Sequence, residues 1–386
     1  MKIPFFKSEI IRRGSLVFIA AFLASLIALF ANIFISDLLE PAYFGVFKTI
    51  VYLFAFLPMI VDFGINATLT KYVAEFGKDC KKTGCLVRWL LKIKLMSYIF
   101  LILAIFLLKD CIALYFLKDA SLSYLVTAGI VLLSFNFFLS FSFIVLGFQN
   151  FKLYSFSQFL SSALSPVLAL LLSPLGIFYM ILGWSLGPLI GNLPNISFLI
   201  KKKIFSDYEK IDVKKIFFKF SLPIFPVEFS TSLFTVIVPL LSLFFSQKLI
   251  GYYSFAYMFY YAAILIPNSI SIVLFPKIAE LNGLKRYGHA KDILKRSFLY
   301  YSLIAVSGLV LVFLLSEWFI NTLSSDYLPS LFMFKIIASL GFVFGYNSIY
   351  TNYLKGLGKV KRYALFTLTQ NIFLMAISFV LLNSMI

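Results

Sequence analysis

Charge is scarce in this sequence, and acid is scarcer than base. Only 13% of the 386 residues are Asp, Glu, Lys or Arg, and just 16 of them are acidic; an ordinary soluble domain is roughly 25% charged. Histidine is reduced to His289. Cysteine occurs three times, with Cys80 and Cys85 on one connection and Cys111 on another, a spacing that suits neither a disulfide framework nor a metal site. Polar stretches long enough for a soluble domain are missing, which excludes an attached globular enzyme. No cofactor, metal ion or catalytic residue is expected.

What is present is apolar: 61% of the chain is hydrophobic and mean hydropathy is +0.97. Runs of about 20 mostly apolar residues are long enough to cross a hydrocarbon core of roughly 30 Å. Eleven such runs fall at about 14–36, 43–65, 89–108, 121–146, 154–173, 176–200, 220–245, 252–275, 298–315, 328–351 and 364–385. They are too long for barrel strands and must satisfy their own backbone hydrogen bonds, so they are expected to be helices. The first run is too long for a cleaved signal and is read as retained. One soluble-protein reading of Asp62-Phe63-Gly64, the magnesium-binding turn of a kinase, fails because no Gly-rich loop or His-Arg-Asp loop accompanies it.

Basic residues set the orientation. With the N-terminus cytoplasmic, 29 of the 34 Lys and Arg lie on the cytoplasmic side, seven of them over residues 66–94, and three lie on the other side. Lys48 and Lys335 remain inside spans. The basic clusters are thereby explained by topology and anionic headgroups, and no nucleic-acid partner is expected.

The chain also repeats itself. Gly45 to Lys71 and Gly251 to Lys277 each hold a glycine, one span and a lysine, offset by 206; "GFQNFKLY" (147–154) and "GLGKVKRY" (356–363) share Gly-x4-Lys-x-Tyr, offset by 209. Two like-oriented lobes follow, 1–205 with six spans and 206–386 with five, the second lacking a counterpart of span six. The expected fold is an all-α polytopic bundle of about 11 transmembrane helices in two pseudo-symmetric lobes of parallel topology around a central cavity, a transporter's arrangement. Residues 65–76 read as an interfacial amphipathic helix with Lys71 and Lys78 on its wet side, and Pro276 is expected to break the matching segment.

The stretch "YFGVFKTIVYLFAFLPMIVDFGINATLTKYVAEF" and the turns "GFQNFKLYSFSQ" and "GLGKVKRYALF" resemble the polysaccharide transport proteins, the Wzx-like oligosaccharide flippases of the multidrug/oligosaccharidyl-lipid/polysaccharide exporter superfamily. The resemblance implies a plasma-membrane flippase that moves polyprenyl-(pyro)phosphate-linked oligosaccharide from the cytoplasmic to the outer leaflet, alongside membrane lipids and the glycosyltransferases of its pathway.

An anionic cargo calls for cations in a wet cleft. Lys48 and Lys335 are the candidates within spans, though both also fit snorkelling to headgroups. Arg88 and Lys92, spaced i, i+4 before span three, could hold a pyrophosphate or simply anchor the span. Glu228 within "PIFPVEFS", where Pro223 and Pro226 should kink the helix, is a candidate coupling site for a proton or sodium ion, or a carboxylate near the interface. Tyr257, Tyr350 and Asn347 would suit sugar rings; tyrosines also form the ordinary interfacial belt. Asp62 reads as a cap. Two other functions stay open: a multidrug exporter of the MATE type, whose cationic cargo wants acids in the cleft, and an integral-membrane sugar polymerase or ligase, which would need a larger outside loop with acid/base groups.

Overall fold

The computed structural model describes residues 9–76, 79–205, 209, 211–231, 233–283, 285–323, 325–357 and 359–385. Among them there is no strand. The helices in chain order are α1 (Glu9–Leu38), α2 (Pro41–Ile60), α3 (Ile65–Phe76), α4 (Cys80–Leu107), α5 (Lys109–Ile112), α6 (Ser123–Asn136), α7 (Leu139–Gly147), α8 (Phe151–Leu171) and α9 (Ile177–Lys201). There follow α10 (Val213–Ile216), α11 (Leu222–Thr231), α12 (Ile237–Ser242), α13 (Gln247–Gly283), α14 (Tyr287–Leu323), α15 (Leu331–Gly356) and α16 (Val360–Asn383).

Ten helical stretches among the described residues are long and apolar enough to cross a membrane, and they fall on ten of the eleven expected spans. The exception is span seven. Its residues form the end of a π-helical turn at Phe217–Ser221, α11, a 3-10 turn at Leu233–Val236 and α12, with Pro226 inside α11. Proline removes a backbone donor and clashes with the preceding turn, so this proline-rich run cannot propagate one ladder. Proline in the second repeat acts differently from expectation. α13 continues unbroken through Pro276 to Gly283, so no break stands there.

The chain forms two compact units, Phe47–Leu243 and Met1–Val46 with Phe244–Ile386. They cut across the expected division at residue 205.

Within Phe47–Leu243, α8 and α9 make the most extensive pairing, and small residues make it possible. A Cβ at Gly187 would lie 2.6 Å from the Ser161 carbonyl oxygen, and one at Gly191 would lie 2.5 Å from the Ser161 nitrogen. Such close approach is how helices associate where lipid is as apolar as leucine. One stripe turn further on, Ser157 Oγ donates to Asn195 Oδ1 (3.0 Å) and Asn195 Nδ2 to Asn192 Oδ1 (2.8 Å). A second cluster seats α3: its buried face, Ile65, Thr68, Leu69 and Val73, packs with Leu86, Val87 and Leu90 of α4 and Ile144 and Val145 of α7. Lys71 lies on the wet side of α3, 3.7 Å from Glu75, as expected of an interfacial helix. Lys78 lies outside the described residues. Asp79 caps α4 by accepting from the Lys82 backbone N–H (3.1 Å), and that bond, with the Lys82 side chain, holds its carboxyl below the usual range.

In the other unit, Tyr327 is wholly buried. It stacks on Phe255 (4.5 Å between centroids), meets Phe44 edge-on, and donates its hydroxyl to the Leu39 carbonyl (3.2 Å). α13 and α15 pack closely, with Gly341 against the Tyr260 carbonyl and Gly345 against Pro267 and the Tyr301 hydroxyl. The exposed apolar face of α14, from Leu299 and Tyr300 through Leu314 to Trp318, is suited to lipid.

The two sequence repeats reappear as geometry. A Cβ at Gly45 would meet the Gln247 carbonyl oxygen at 1.9 Å, and a Cβ at Gly251 would meet the Pro41 carbonyl oxygen at 1.7 Å. At the offset of 206, Pro41 corresponds to Gln247 and Gly45 to Gly251, so the contact is reciprocal, as at a two-fold crossing. The second pair agrees. Phe148 N–H bonds to Ile144 O and Leu357 N–H to Tyr353 O, both at 3.1 Å; Asn150 N–H reaches Val145 O and Lys359 N–H reaches Leu354 O, at 3.3 and 2.9 Å. Both turns are the same six-to-one helix ending.

The Asp62-Phe63-Gly64 break separates α2 from α3. Phe63 and Gly64 take φ of 48° and 71°, and Ser221 Oγ donates to the Phe63 carbonyl (3.0 Å) while accepting from Thr68 Oγ1 (2.9 Å). A Cβ at Gly64 would sit 2.3 Å from the Ser221 carbonyl oxygen. Glycine is therefore required by both its φ and the backbone beside it. We expect Gly64→Ala to lower stability by about 1–3 kcal/mol, read as a drop in the thermal midpoint of purified protein; a midpoint equal to wild type would show that the break relaxes freely.

Candidate functional site

The end of α2 next to α3 gathers an ion pair that the basic census hides. Lys92 and Lys94 are two positions apart, about 200° around α4, so Lys92 is exposed while Lys94 turns inward. The Lys94 side chain is 3% exposed; its Nζ lies 2.5 Å from Asp62 Oδ1 and donates to Asn66 Oδ1 at 2.9 Å. Asp62 Oδ2 also accepts from the Asn66 backbone N–H (3.3 Å), capping α3 as expected. The Tyr98 ring, one turn along α4, lies 5.9 Å from Nζ. Lys94 is thus a partnered core lysine and not one of the wet positive-inside residues among which it was counted.

Lys48 lies in α2 and is 3% exposed. Its Nζ is 5.1 Å from the centre of the Trp184 ring on α9 and 5.6 Å from Phe47, and those two rings meet edge-on at 5.7 Å. The quadrupole of an indole face attracts a cation, most strongly where water is excluded. Trp184 was not singled out from the sequence; its signal was a lone indole in an otherwise glycine-rich span.

Other candidates are dispersed. Arg88 is half-buried and donates to the Phe205 carbonyl, whereas Lys92 is exposed on the next turn. Lys335 is half-buried in the second turn of α15. Glu228 falls within α11, and its side chain lies outside the described residues.

In the unit containing α13, α15 and α16, Tyr253, Tyr257 and Tyr260 stack in series, with centroids 5.3 and 5.4 Å apart. Tyr257 is completely buried in this stack. Ser378 Oγ donates to the Tyr253 hydroxyl (3.0 Å). Tyr350 stacks on Tyr353 and meets Phe366 edge-on. Asn347 Nδ2 donates to Gln370 Oε1, and Gln370 Nε2 donates to the Tyr260 hydroxyl (3.1 Å).

These features define a multi-pass membrane protein whose polar groups are turned inward from its lipid-facing helices. Residues 11–282 match the family described as polysaccharide biosynthesis protein, and the chain belongs to that family. No curated protein matches it. Among solved structures, it is similar to the lipid II flippase MurJ in an inward closed conformation, at 17% identity over 95% of this chain and 86% of that one, with a TM-score of 0.63. It is also similar to a multidrug resistance MATE family transporter of the MOP superfamily. The inward-facing form gives 11% identity, 94% of each chain and a TM-score of 0.70. The outward-facing form gives 12% identity, 99% of this chain and 97% of that one, and a TM-score of 0.60. At such identities the likeness establishes the fold, a two-lobed polytopic helical bundle.

Proposed function

We propose that the protein is a non-enzymatic flippase that moves polyprenyl-(pyro)phosphate-linked oligosaccharide from the cytoplasmic to the outer leaflet of the plasma membrane, its N-terminus cytoplasmic. The observation that carries this reading is the match to a polysaccharide biosynthesis family over residues 11–282 of a chain built from spanning helices. The fold it shares with a lipid II flippase supports the same assignment. The reciprocal Gly45 and Gly251 contact supports treating 1–205 and 206–386 as repeated lobes that alternate access.

In this reading Lys48 holds the anionic phosphates, with Trp184 steadying its ammonium. Lys335, Arg88 and Lys92 supply further positive potential along the route. Tyr350 and Asn347 meet the glycan, Tyr257 stiffens the tyrosine stack behind it, and Glu228 carries a coupling proton or sodium ion. A MATE-type exporter of cationic drugs fits less well, because the carboxylate of Asp62 is already neutralised by Lys94 at 2.5 Å. A sugar polymerase or ligase would need a sizeable outside loop for acid/base work, and the outside connections are short and carry no histidine.

The test is mass spectrometry of polyprenyl-linked sugars in cells lacking the protein and in cells restored with wild type, Lys48→Ala or Glu228→Ala. A complete, untransferred intermediate should accumulate in the deletion, clear with wild type and persist at several-fold excess with either variant. Heightened sensitivity to cationic dyes without accumulation would instead identify drug export.

A further inference from the structure

Three helices of one unit carry a polar tract with no charge in it. Residues 249–276, 336–354 and 363–386 contain no Asp, Glu, Lys, Arg or His. Asn347 and Gln370 sit nine or more residues from either end of α15 and α16, which is about 14 Å of helix. At that depth a lipid-facing amide is costly, so amides there face partners or water.

Their partners form two sets. In the first, Asn347 Nδ2 donates to Gln370 Oε1 and to the Phe366 carbonyl (3.3 Å), and Gln370 Nε2 donates to the Tyr260 hydroxyl (3.1 Å). In the second, Ser348 Oγ donates to Asn268 Oδ1 (2.5 Å) and lies 3.4 Å from Ser271 Oγ. Neither set is sealed. Asn347 and Gln370 are half-buried and Asn268 is exposed. Each amide retains hydrogen-bonding capacity, because a primary amide offers two donors and two acceptor lone pairs. On α16 the adjacent residue, Asn371, has a buried Nδ2 with no hydrogen-bond partner. A buried donor left unpaired costs free energy and calls for a water or a ligand group.

We infer that Gln370 and Asn347, with Asn268 and Ser348, form the surface that reads the uncharged sugar rings of the cargo, the buried Tyr260 hydroxyl holding Gln370 in place, an inference that rests on the flippase reading. Amides and hydroxyls can donate to and accept from sugar hydroxyls alike. A tract without a cation gives a uronic acid carboxylate no counter-charge, so the class selected is neutral hexose or N-acetylhexosamine. The phosphate is left to the lysines elsewhere.

The test is native mass spectrometry of purified protein with two probes, bare polyprenyl diphosphate and polyprenyl diphosphate bearing a neutral N-acetylhexosamine. Wild type should prefer the sugar-bearing lipid roughly tenfold, the scale of one or two good hydrogen bonds. Gln370→Leu and Asn268→Leu should bring that ratio to near one while leaving affinity for the bare lipid unchanged, which also shows that the variants are folded. Tyr260→Phe, which keeps the ring and deletes one hydroxyl, should fall between. A preference that survives in the leucine variants, or that wild type lacks, overturns the sugar surface; a wild type that binds neither lipid refutes the flippase reading itself.

Discussion

Asp62→Asn and Lys94→Met are each expected to destabilise the protein by about 3–5 kcal/mol, the usual result of leaving one partner of a buried ion pair without the other. The pair is tightly built: Nζ and Oδ1 are 2.5 Å apart, Lys94 is 3% exposed and Asp62 15% exposed, and Asn66 takes a further bond from the same ammonium. Removing the carboxylate strands an ammonium against Tyr98; removing the ammonium strands a carboxylate at the start of α3. The double variant Asp62→Asn with Lys94→Met strands neither, so it should recover much of the loss. Thermal unfolding of all four proteins forms a double-mutant cycle, and a coupling near zero would mean that the two residues act independently. The cycle also bears on function, since a neutral but stable double variant that still transports would confine the pair to architecture.

Gly45→Ala and Gly251→Ala should be nearly as damaging, and to a similar degree. Each added Cβ lands within 2 Å of a carbonyl oxygen of the facing helix. Backbone cannot rotate away as a side chain can, so the helices must part, at about 1–3 kcal/mol or more for each substitution. Tyr43→Ala, on the same helix but at an exposed side chain, provides the control and should cost little. Because the two glycines share one crossing, the double variant should cost less than the sum of the single ones. Purified yield and thermal midpoint read this directly; full additivity would show that the two contacts are separate.

Much of this architecture was legible because lipid imposes simple rules. Mostly apolar runs of about 20 residues located most spans to within several positions, but α4 begins at Cys80, nine residues before the expected 89, and α14 begins at Tyr287, eleven before the expected 298. Span seven, expected as one helix kinked at the prolines of "PIFPVEFS", is instead divided into shorter helices, and α11 runs through both prolines. Pro276 carried the same signal and misled, because a helix can continue through proline where neighbouring groups satisfy the freed carbonyl. Gly45 and Gly251 were readable as a matched pair, though that they face each other was not, since sequence offset carries no direction in space.

The site was less legible. Lys94 stood within "RWLLKIKLM", where three cations in seven residues look like one interfacial cluster. α4 is apolar almost all round, so periodicity could not show which cation turns inward. The clue was Asp62, an acid closing an apolar run and needing a counter-charge. Gln370 was hidden for the opposite reason: beside Asn371 in the uncharged run 363–386 it belongs to no charge pattern, and only its hydrogen bonds to Asn347 and Tyr260 reveal its place.

The central claim is that this chain carries a lipid-linked glycan across the bilayer. The measurement that tests it most directly uses purified protein in liposomes seeded with a polyprenyl-diphospho-oligosaccharide in both leaflets, followed by an enzyme outside that trims only exposed glycan. With active protein and its coupling ion gradient, trimming should pass the roughly half of the lipid initially facing outward and approach completion, and Lys48→Ala should stop it near that half. Trimming that halts at the same level with wild-type protein as with empty liposomes would contradict the account.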